Sequence, residues 1–591
     1  MITARRTMTA ATPVVIVVAG AMITAMASLT ASAQDATFRE FHYEGNDARF
    51  QKQFDPKREY LNPILAGFYP DPSVCRKGDT FYLVNSSFSF FPGVPIFKSR
   101  DMVNWEQIGH VLDRPSQLPL AGQGVSGGIF APAISYNEKN KTFYMITTNV
   151  GKGNFFVKTK DPEKGWSEPI YLPKIDGIDP SFFFDKDGRG YIVHNAPVDG
   201  GADYEGQRAI RLFEFDVKGD SIKGDYKQIV RGGTHVSERP IWIEGPHLLR
   251  VGKFYYLICA EGGTGEAHSE VVFRAKSPFG PYEECPDNPI LTQREGLDEL
   301  RRDYVSSAGH ADLVQTPKGD WWAVFLGCRP YDLPLNAQEA ADPAHRPVLY
   351  NTGRDTYLLP VTWKDGWPSI LKAGEAIPTV VKYDAAPQQT AGLLTGNFAY
   401  TDRFDGGKLH KRWLQLRDPQ PFAYTLDGNG LTIHPSPANI YERKNLTALF
   451  ARQQHECFTA ETSVSFTPEN ENQLAGLALL QNEDYNFTFG KTMQNGHEAV
   501  VLTRAGGKVV RPDGSTVTAV TVIASAPVSA TSLRLKVEGR GRYYDFLYAD
   551  GTDSQWKVLA RGVDAANLST NQSGGFIGAC IGLYATSHKK Q

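Results

Sequence analysis

The segment KGDTFYLVNS at residues 77–86 joins a tight polar turn to an apolar, aromatic strand, and this pattern recurs four more times. The other copies are EKNKTFYMITT at 138–148, DKDGRGYIVHN at 185–195, VGKFYYLICA at 251–260 and PKGDWWAVFL at 317–326. A turn followed by Tyr, Phe, Trp, Val and Ile predicts a β-hairpin. The aligned aromatic residues are Tyr82, Tyr144, Tyr191, Tyr256 and Trp322.

Repeats of this length are typical of propeller blades, each of which is a small antiparallel sheet. One blade cannot bury both of its faces alone, so blades stack around a common axis. We therefore predict an all-β protein in which residues 34–374 form a five-bladed β-propeller. The turn-rich, aromatic composition, with 56 Gly, 37 Pro and 12% aromatic residues, agrees with this prediction.

The charge balance excludes some partners. The chain has 591 residues, of which 41% are hydrophobic and 21% charged, which excludes wholesale disorder. The net charge is −3, so no basic stripe is available for a nucleic acid or an anionic membrane. A high aromatic content fits a carbohydrate partner and an all-β core equally well.

The first 33 residues have the pattern of a secretory signal peptide. Arg5 and Arg6 precede an apolar run over residues 14–29, and Ala31-Ser32-Ala33 follows as a small-x-small cleavage pattern. We expect cleavage after Ala33 and a secreted or periplasmic protein, with an uncleaved membrane anchor as the alternative. Removal of these residues leaves a net charge of −5. No later segment is long and apolar enough to span a bilayer, so no membrane partner is expected after cleavage.

The cysteines indicate neither a zinc site nor a disulfide framework. None of the six forms a C-x-x-C pair, and six are few for a chain of this length. Cys259 and Cys328 lie in apolar strands and are predicted to be buried thiols. A single disulfide remains compatible with an oxidising compartment.

The strand before each repeated turn carries the candidate chemistry. The position 11 or 12 residues before each aligned aromatic is occupied by Asp71, Ala133, Asp179, Glu244 and His310. Equivalent positions in a propeller converge on the central axis, so three carboxylates and one histidine are predicted to meet there. Asp-Pro and Glu-Gly are also common turn dipeptides. The shared register across repeats favours a functional site.

Three carboxylates on one axis suit the hydrolysis of a glycosidic bond. One carboxyl group must be protonated near neutral pH, and a second must stay ionised to activate water or attack the sugar. A third can raise the pKa of the acid by like-charge repulsion. His310 is interpreted either as a hydrogen-bonded core residue or as a ligand to a cation through water molecules.

The run from Asn62 to Leu120, beginning NPILAGFYPDPSV, closely resembles the start of glycoside hydrolase family 43 enzymes. Further matching motifs are SGGIFAPAISY at 126–136, IEGPHL at 243–248, AEGGTGEAHSE at 260–270, AGHADLV at 308–314 and NTGRDT at 351–356. The likeness is greatest to β-xylosidases and α-L-arabinofuranosidases with an extra C-terminal domain. It implies a five-bladed propeller and an inverting mechanism.

The resemblance also implies roles for individual residues. Asp71 of the P-D-P-S motif is the expected general base, Asp179 the expected modulator of the acid's pKa, and Glu244 the expected general acid. His310 is expected near a central cation or water cluster, and Arg354 is expected to contact sugar hydroxyls. No organic cofactor is expected, and a calcium or sodium ion is a possible structural ion.

Three further residues are predicted to bind substrate. Phe88 matches a family position that lines the sugar pocket, and His268 is a candidate for facing it. Phe130 stands where many relatives have Trp, and Ala133 stands where many have Asp. Phe130 can still stack on a sugar face, so these departures leave the choice of substrate open rather than the chemistry.

The expected activity is therefore exo-hydrolysis of terminal α-L-arabinofuranosyl or β-D-xylosyl residues of hemicellulose (xylan, arabinoxylan or xyloglucan) oligosaccharides. Two alternatives stay open: a non-catalytic carbohydrate-binding propeller, and a retaining fructan-type hydrolase with Asp71 as nucleophile.

After a predicted linker at residues 375–398, residues 399–591 resemble the concanavalin-like, jelly-roll β-sandwich of this enzyme group. The sandwich is expected to pack on the propeller and to lend a loop to the active site, with Gln481–Tyr485 as the candidate loop. Asp402 and Asp405 are interpreted as a solvated turn, with a structural calcium site as the alternative.

Overall fold

A computed structural model describes residues 34–294, 296–297, 301–331, 348–383, 394–421, 423–551, 553 and 555–587. The predicted signal peptide, residues 1–33, lies outside the described residues. Within the described ranges, no helix has both the length and the apolar character needed to cross a membrane.

Five four-stranded antiparallel sheets form the propeller, as the repeats predict. Blade 1 contains Ser73–Lys77, Thr80–Val84, Gly93–Ser99 and Glu106–Leu112. Blade 2 contains Ile129–Asn137, Thr142–Asn149, Gly153–Thr159 and Ile170–Tyr171, and blade 3 contains Ile178–Phe184, Gly190–Ala196, Ala209–Asp216 and Ser221–Arg231. Blade 4 contains Glu244–Val251, Phe254–Glu261, Ser269–Ala275 and Glu283–Glu284, with Leu291–Thr292 paired to its third strand. Blade 5 contains Ser306–Gln315, Trp321–Cys328, Arg354–Lys364 and Trp367–Ser369.

Each repeated turn connects the first and second strands of a blade. In blade 1, for example, Lys77 pairs with Thr80 across the turn. The aligned aromatic residues consequently all lie on second strands, between neighbouring blades. Tyr144 and Tyr191 are buried almost completely. Burying a large aromatic side chain at every blade contact stabilises the stack, since each removes roughly 150–250 Å² from water.

Two sheets form the C-terminal sandwich. The first has the order Tyr424–Leu426, Leu431–Ile433, Ala36–Gly45, Cys457–Ser465, Ser532–Arg540, Tyr543–Asp550 and Lys557–Asp564, with Ala399–Asp402 also paired to Ala36–Gly45. The second has the order Ala448–Arg452, Cys580–Ser587, Gln473–Asn482, Tyr485–Gln494, His497–Val510 and Thr516–Pro527. Short helices occur at Ala48–Gln51, Pro115–Gln117, Pro162–Lys164, Val236–Glu238, Ala566–Leu568 and Thr570–Ser573, and a two-stranded contact joins Gln415–Leu416 to Phe90–Phe91.

The N-terminal strand differs from the predicted boundary at residue 34. Ala36–Gly45 belongs to the sandwich, where it pairs with Cys457–Ser465 in an antiparallel register that aligns Tyr43 with Ala460. Its alternating apolar residues point into the sandwich core, and a bulge between Phe38 and Phe41 restores the inward phase. The hydrophobic face of this strand is therefore satisfied by the second domain.

The predicted linker also contains regular structure. Val380–Lys382 pairs with Glu59–Leu61, which precedes blade 1. Residues 384–393 of the predicted linker lie outside the described residues. The two ends of the propeller segment are thus joined by a short two-stranded sheet before the chain enters the sandwich.

The cysteines and the Asp402 turn are structural features. All six cysteines are free thiols, and Cys259 and Cys328 are buried as predicted. The Asp402 carboxylate accepts hydrogen bonds from the Phe404 backbone N–H at 3.0 Å and the Trp413 indole N–H at 2.8 Å. This carboxylate is therefore used to close a turn beside the sandwich core.

Candidate active site

The innermost strand of every blade enters through the same unusual backbone conformation. The residues with positive φ at this point are Asp71 at 51°, Ala131 at 35°, Asp179 at 55°, Gly245 at 54° and His310 at 52°. All five line a cavity of about 10 Å³ on the propeller axis. Non-glycine residues in left-handed conformations cost roughly 1–3 kcal/mol each and concentrate at functional sites.

This conformation corrects the alignment of the repeats. The residues equivalent to Asp71 in blades 2 and 4 are Ala131 and Gly245, not Ala133 and Glu244. Bulges cause the difference, because the pairing register shifts between Phe130 and Ala133 and between Glu244 and His247. A bulge inserts an extra residue into one strand, so a fixed count back from the aligned aromatic is offset. Glu244 therefore precedes the equivalent position by one residue.

All eight site residues proposed from the sequence line one cavity of about 430 Å³ above the axis. They are Asp71, Phe88, Phe130, Asp179, Glu244, His268, His310 and Arg354. Ala133 lies below, against the small axial cavity. Ile178, Trp242, Thr264 and Phe576 also line the larger cavity and were not anticipated.

Asp71 is held in its ionised form. Its Oδ1 accepts a hydrogen bond from Arg354 Nη1 at 2.7 Å, and its Oδ2 accepts one from the Ser86 hydroxyl at 2.6 Å. Burial acts to raise the pKa of Asp71, but Arg354, His310 and Ser86 outweigh burial and hold it below its ordinary value. This carboxylate is therefore available as a base at neutral pH.

Glu244 is held in its protonated form. Burial raises its pKa well above the ordinary value, and the negative charges of Asp179 and Asp71 raise it further. Burial and Asp71 also raise the pKa of Asp179 to about 7, although Asp179 accepts a hydrogen bond from the Gly245 backbone N–H at 3.1 Å. One cavity thus contains an ionised carboxylate and a carboxylic acid, which is the combination that glycoside hydrolysis requires.

The two histidines of the cavity are neutral. Burial lowers the pKa of His268 to about 3 and that of His310 to about 4. The Gly263 carbonyl accepts a hydrogen bond from His268 Nδ1 at 2.7 Å. Since a carbonyl only accepts, the proton lies on Nδ1 and Nε2 has a free lone pair. Within the part of the chain that the structure describes, this buried Nε2 has no hydrogen-bond partner.

The donor set does not fit a directly bound calcium or sodium ion. The side-chain ligand atoms of Glu244, His268 and His310 lie within 4.8 Å of one another. Two imidazole nitrogens and one carboxylate suit a transition metal, whereas calcium prefers oxygen ligands. A metal on Glu244 would also displace the proton that a general acid has to donate. We therefore assign no reaction step to a metal.

An aromatic wall covers one side of the cavity. The Phe88 ring centroid is 5.2 Å from that of Phe130 and 6.1 Å from that of Phe576. The Arg354 guanidinium carbon lies 5.8 Å from the Phe88 and Phe576 ring centroids. Arg354 Nη2 donates a hydrogen bond to the Phe576 carbonyl at 3.1 Å. This wall combines apolar faces with one fixed cation, which suits a sugar with an apolar face and hydroxyl groups.

Phe576 comes from the sandwich, so both domains build the cavity. Its backbone N–H donates to the Ser126 hydroxyl of the propeller at 2.9 Å. Gly353 and Gly578 bring the two backbones together, because a Cβ on Gly353 would lie 2.6 Å from the Gly578 Cα. The clue in the sequence is SGGFIG at 573–578, an aromatic residue in a glycine-rich loop.

The predicted loop Gln481–Tyr485 does not line the cavity and has a supporting function instead. Gln481 Nε2 donates to Thr570 Oγ1 at 3.1 Å and to the Ile577 carbonyl at 3.0 Å, which holds the Phe576 loop. Glu483 accepts a hydrogen bond from the Val125 backbone N–H at 3.1 Å and contacts Arg417. The prediction of a loop lent by the sandwich is thus correct, but the wrong segment was chosen.

The comparisons with known proteins agree with this architecture. Residues 60–368 match the family model of glycosyl hydrolases family 43. The chain belongs to this family. Residues 401–591 match the beta xylosidase C-terminal concanavalin A-like domain. The family 43 propeller and its sandwich thus account for most of the described chain, and the protein is a glycoside hydrolase.

Full-length relatives give the same result. A xylosidase/arabinosidase of Butyrivibrio fibrisolvens is 37% identical over 90% of this chain and 96% of its own length. A non-reducing end α-L-arabinofuranosidase of Bacteroides ovatus is 32% identical over 90% of this chain and 92% of its own. A solved GH43_12 structure retrieved from capybara gut metagenome is 41% identical, with a TM-score of 0.83 over 93% of this chain and 99% of the other.

Proposed function

We propose that this family 43 enzyme is an inverting exo-glycosidase that removes terminal α-L-arabinofuranosyl or β-D-xylosyl residues from hemicellulose oligosaccharides. The observation that carries the proposal is the opposite protonation of Asp71 and Glu244 within one cavity. The relatives named xylosidase/arabinosidase and α-L-arabinofuranosidase support the substrate class.

The reaction follows from the charges. The Asp71 carboxylate takes a proton from a water molecule as its oxygen attacks the anomeric carbon. The bond from that carbon to the leaving oxygen breaks while Glu244 donates its proton to this oxygen. Asp179 raises the pKa of Glu244, so the acid is loaded before each turnover. A single displacement of this kind inverts the configuration of the sugar.

Exo action follows from the closed side of the cavity. The Phe576 loop and Arg354 cover the side that the aromatic wall forms, and the carboxylates lie at the buried end. A chain end can enter such a pocket, whereas the middle of a polysaccharide needs an open groove. Nitrophenyl β-xyloside and α-L-arabinofuranoside, assayed side by side, test the substrate class, followed by branched xylan and xyloglucan oligosaccharides. Binding of these sugars without hydrolysis would instead support a carbohydrate-binding protein.

We propose that hydrolysis proceeds without a dissociable metal ion. The base, the acid and the sugar-binding cation are all side chains of this chain, namely Asp71, Glu244 and Arg354. Dialysis against EDTA is expected to leave kcat/KM within about twofold of the untreated value. A loss that added calcium restores would contradict this proposal, and unfolding on chelation without such a kinetic effect would indicate a structural ion.

We also propose that the enzyme is exported and works outside the cytoplasm. The basic residues Arg5 and Arg6, the apolar run and the Ala31-Ser32-Ala33 pattern support this location. Intact-mass measurement of the protein purified from an expressing bacterium is expected to give a chain that begins at Gln34. A cytoplasmic protein that retains Met1 would contradict export.

A further inference from the structure

The acid side of the cavity has an exposed aromatic residue with no assigned role. Trp242 lines the cavity and is 40% exposed, whereas Glu244, two residues later, is buried. Trp242 therefore lies at the rim of the same wall that presents the general acid. Phe576, at 36% exposure, is the corresponding rim aromatic beside Arg354.

The backbone around Trp242 is fixed on both sides. Its N–H donates to the Gly206 carbonyl at 2.8 Å, and the Ile241 carbonyl accepts from the Gly262 N–H at 2.9 Å. Trp242 itself has a φ of 52°, a conformation that a bulky residue adopts only when its surroundings impose it. The rim position of this indole is therefore specified by the fold.

The indole is also anchored by a cation. The Arg208 guanidinium carbon lies 5.2 Å from the Trp242 ring centroid. Arg208 donates from Nε and Nη2 to Asn195 Oδ1 at 3.2 and 2.8 Å, and Asn195 Nδ2 donates to the Ile243 carbonyl at 2.7 Å. This network returns to the segment that carries Trp242 and Glu244. A pre-oriented aromatic ring binds a ligand with less loss of conformational entropy than a free one.

From this placement we propose that Trp242 is the stacking platform for the leaving-group sugar, the residue next to the one that is released. The inference rests on the proposed function, because it uses Glu244 as the acid. An acid must lie beside the oxygen that it protonates, and that oxygen belongs to the leaving sugar. The sugar that leaves therefore lies on the Glu244 side of the cavity, where Trp242 is the exposed aromatic lining residue. The ligand class is a pyranose with an apolar face, such as a xylosyl unit of a hemicellulose chain.

The test compares substrates with and without a leaving-group sugar. Trp242→Ala is expected to lower kcat/KM for a pentose disaccharide or trisaccharide about 10-fold. The same variant should hydrolyse the corresponding pentosyl fluoride within about twofold of wild type, because fluoride makes no contact with the platform. Trp242→Phe should recover part of the loss. Ile241→Ala is the matched control, since Ile241 is 39% exposed in the same segment but does not line the cavity.

A positioning role gives a different result. If Trp242 acted through Arg208 on Glu244, the alkaline limb of the pH profile would shift, and the fluoride and the oligosaccharide would lose activity unequally in the other direction or equally. Equal losses, or no loss on the oligosaccharide, would overturn the platform. A wild-type enzyme without activity on any pentoside would overturn the proposed function itself, a result distinguishable from a platform failure in an active enzyme.

Discussion

Glu244→Gln is expected to lower kcat/KM for pentose oligosaccharides roughly 100- to 10,000-fold, the usual contribution of a general acid. Glutamine has nearly the same shape but cannot donate a proton to the leaving oxygen. A dinitrophenyl leaving group needs no protonation, so the loss on a dinitrophenyl glycoside should be far smaller. The comparison of these two substrates identifies the acid.

The pH profile gives a second measure of Glu244→Gln. In the wild type, activity should fall at low pH as Asp71 becomes protonated and at high pH as Glu244 ionises. The lowered pKa of Asp71 and the raised pKa of Glu244 place neutral pH between the two limbs. On the dinitrophenyl substrate, the variant should lose the alkaline limb and keep the acidic one.

Glu261→Gln is the matched control. Glu261 is also buried on blade 4, but it accepts hydrogen bonds from the Thr234 N–H and hydroxyl at 3.0 and 3.1 Å and does not line the cavity. Its variant should retain activity within about threefold. A Glu244→Gln enzyme with unchanged turnover of oligosaccharides would remove Glu244 from the mechanism.

Asp71→Asn is expected to lower kcat roughly 100- to 10,000-fold on every substrate, whatever its leaving group. Asparagine can still accept from Arg354 and Ser86, but it cannot take a proton from the attacking water. The equal loss on activated and unactivated substrates distinguishes a base from the acid. Steady-state kinetics with nitrophenyl glycosides and oligosaccharides measures this equality.

Asp176→Asn controls for the loss of a carboxylate near the axis. Asp176 lies three residues before Asp179, is half exposed and forms an ion pair with Arg211 at 2.7 Å. Its variant should keep nearly full activity. Retention of more than a tenth of wild-type kcat by a folded Asp71→Asn enzyme would contradict the role of Asp71 as base.

The propeller could be predicted because its signal is local. Each turn and the aromatic strand after it are adjacent in sequence, and five copies are enough to count the blades. The clustering of Asp71, Asp179, Glu244 and His310 follows from the same repeat, since symmetry brings equivalent positions to the axis. The bulges that offset Ala131 and Gly245 change the residue count within a strand, and no local pattern marks them.

Features that depend on distant pairing could not be predicted. The strand Ala36–Gly45 reads as a half-buried strand, but its partners lie more than 350 residues later. Phe576 reaches the cavity because the sandwich docks on the propeller through contacts such as Gly353 with Gly578. Trp242 stands in a recognised motif, yet only its exposure at the rim indicates a role.

The most direct test of the account is the configuration of the sugar that the enzyme first releases. Proton NMR during hydrolysis of an aryl β-xyloside or α-L-arabinofuranoside resolves the two anomers before they equilibrate. Asp71 acting as a base through water, with Glu244 as the acid, predicts that the inverted anomer appears first. First release of the retained anomer would show that a carboxylate attacks the sugar directly, and would contradict the proposed single displacement.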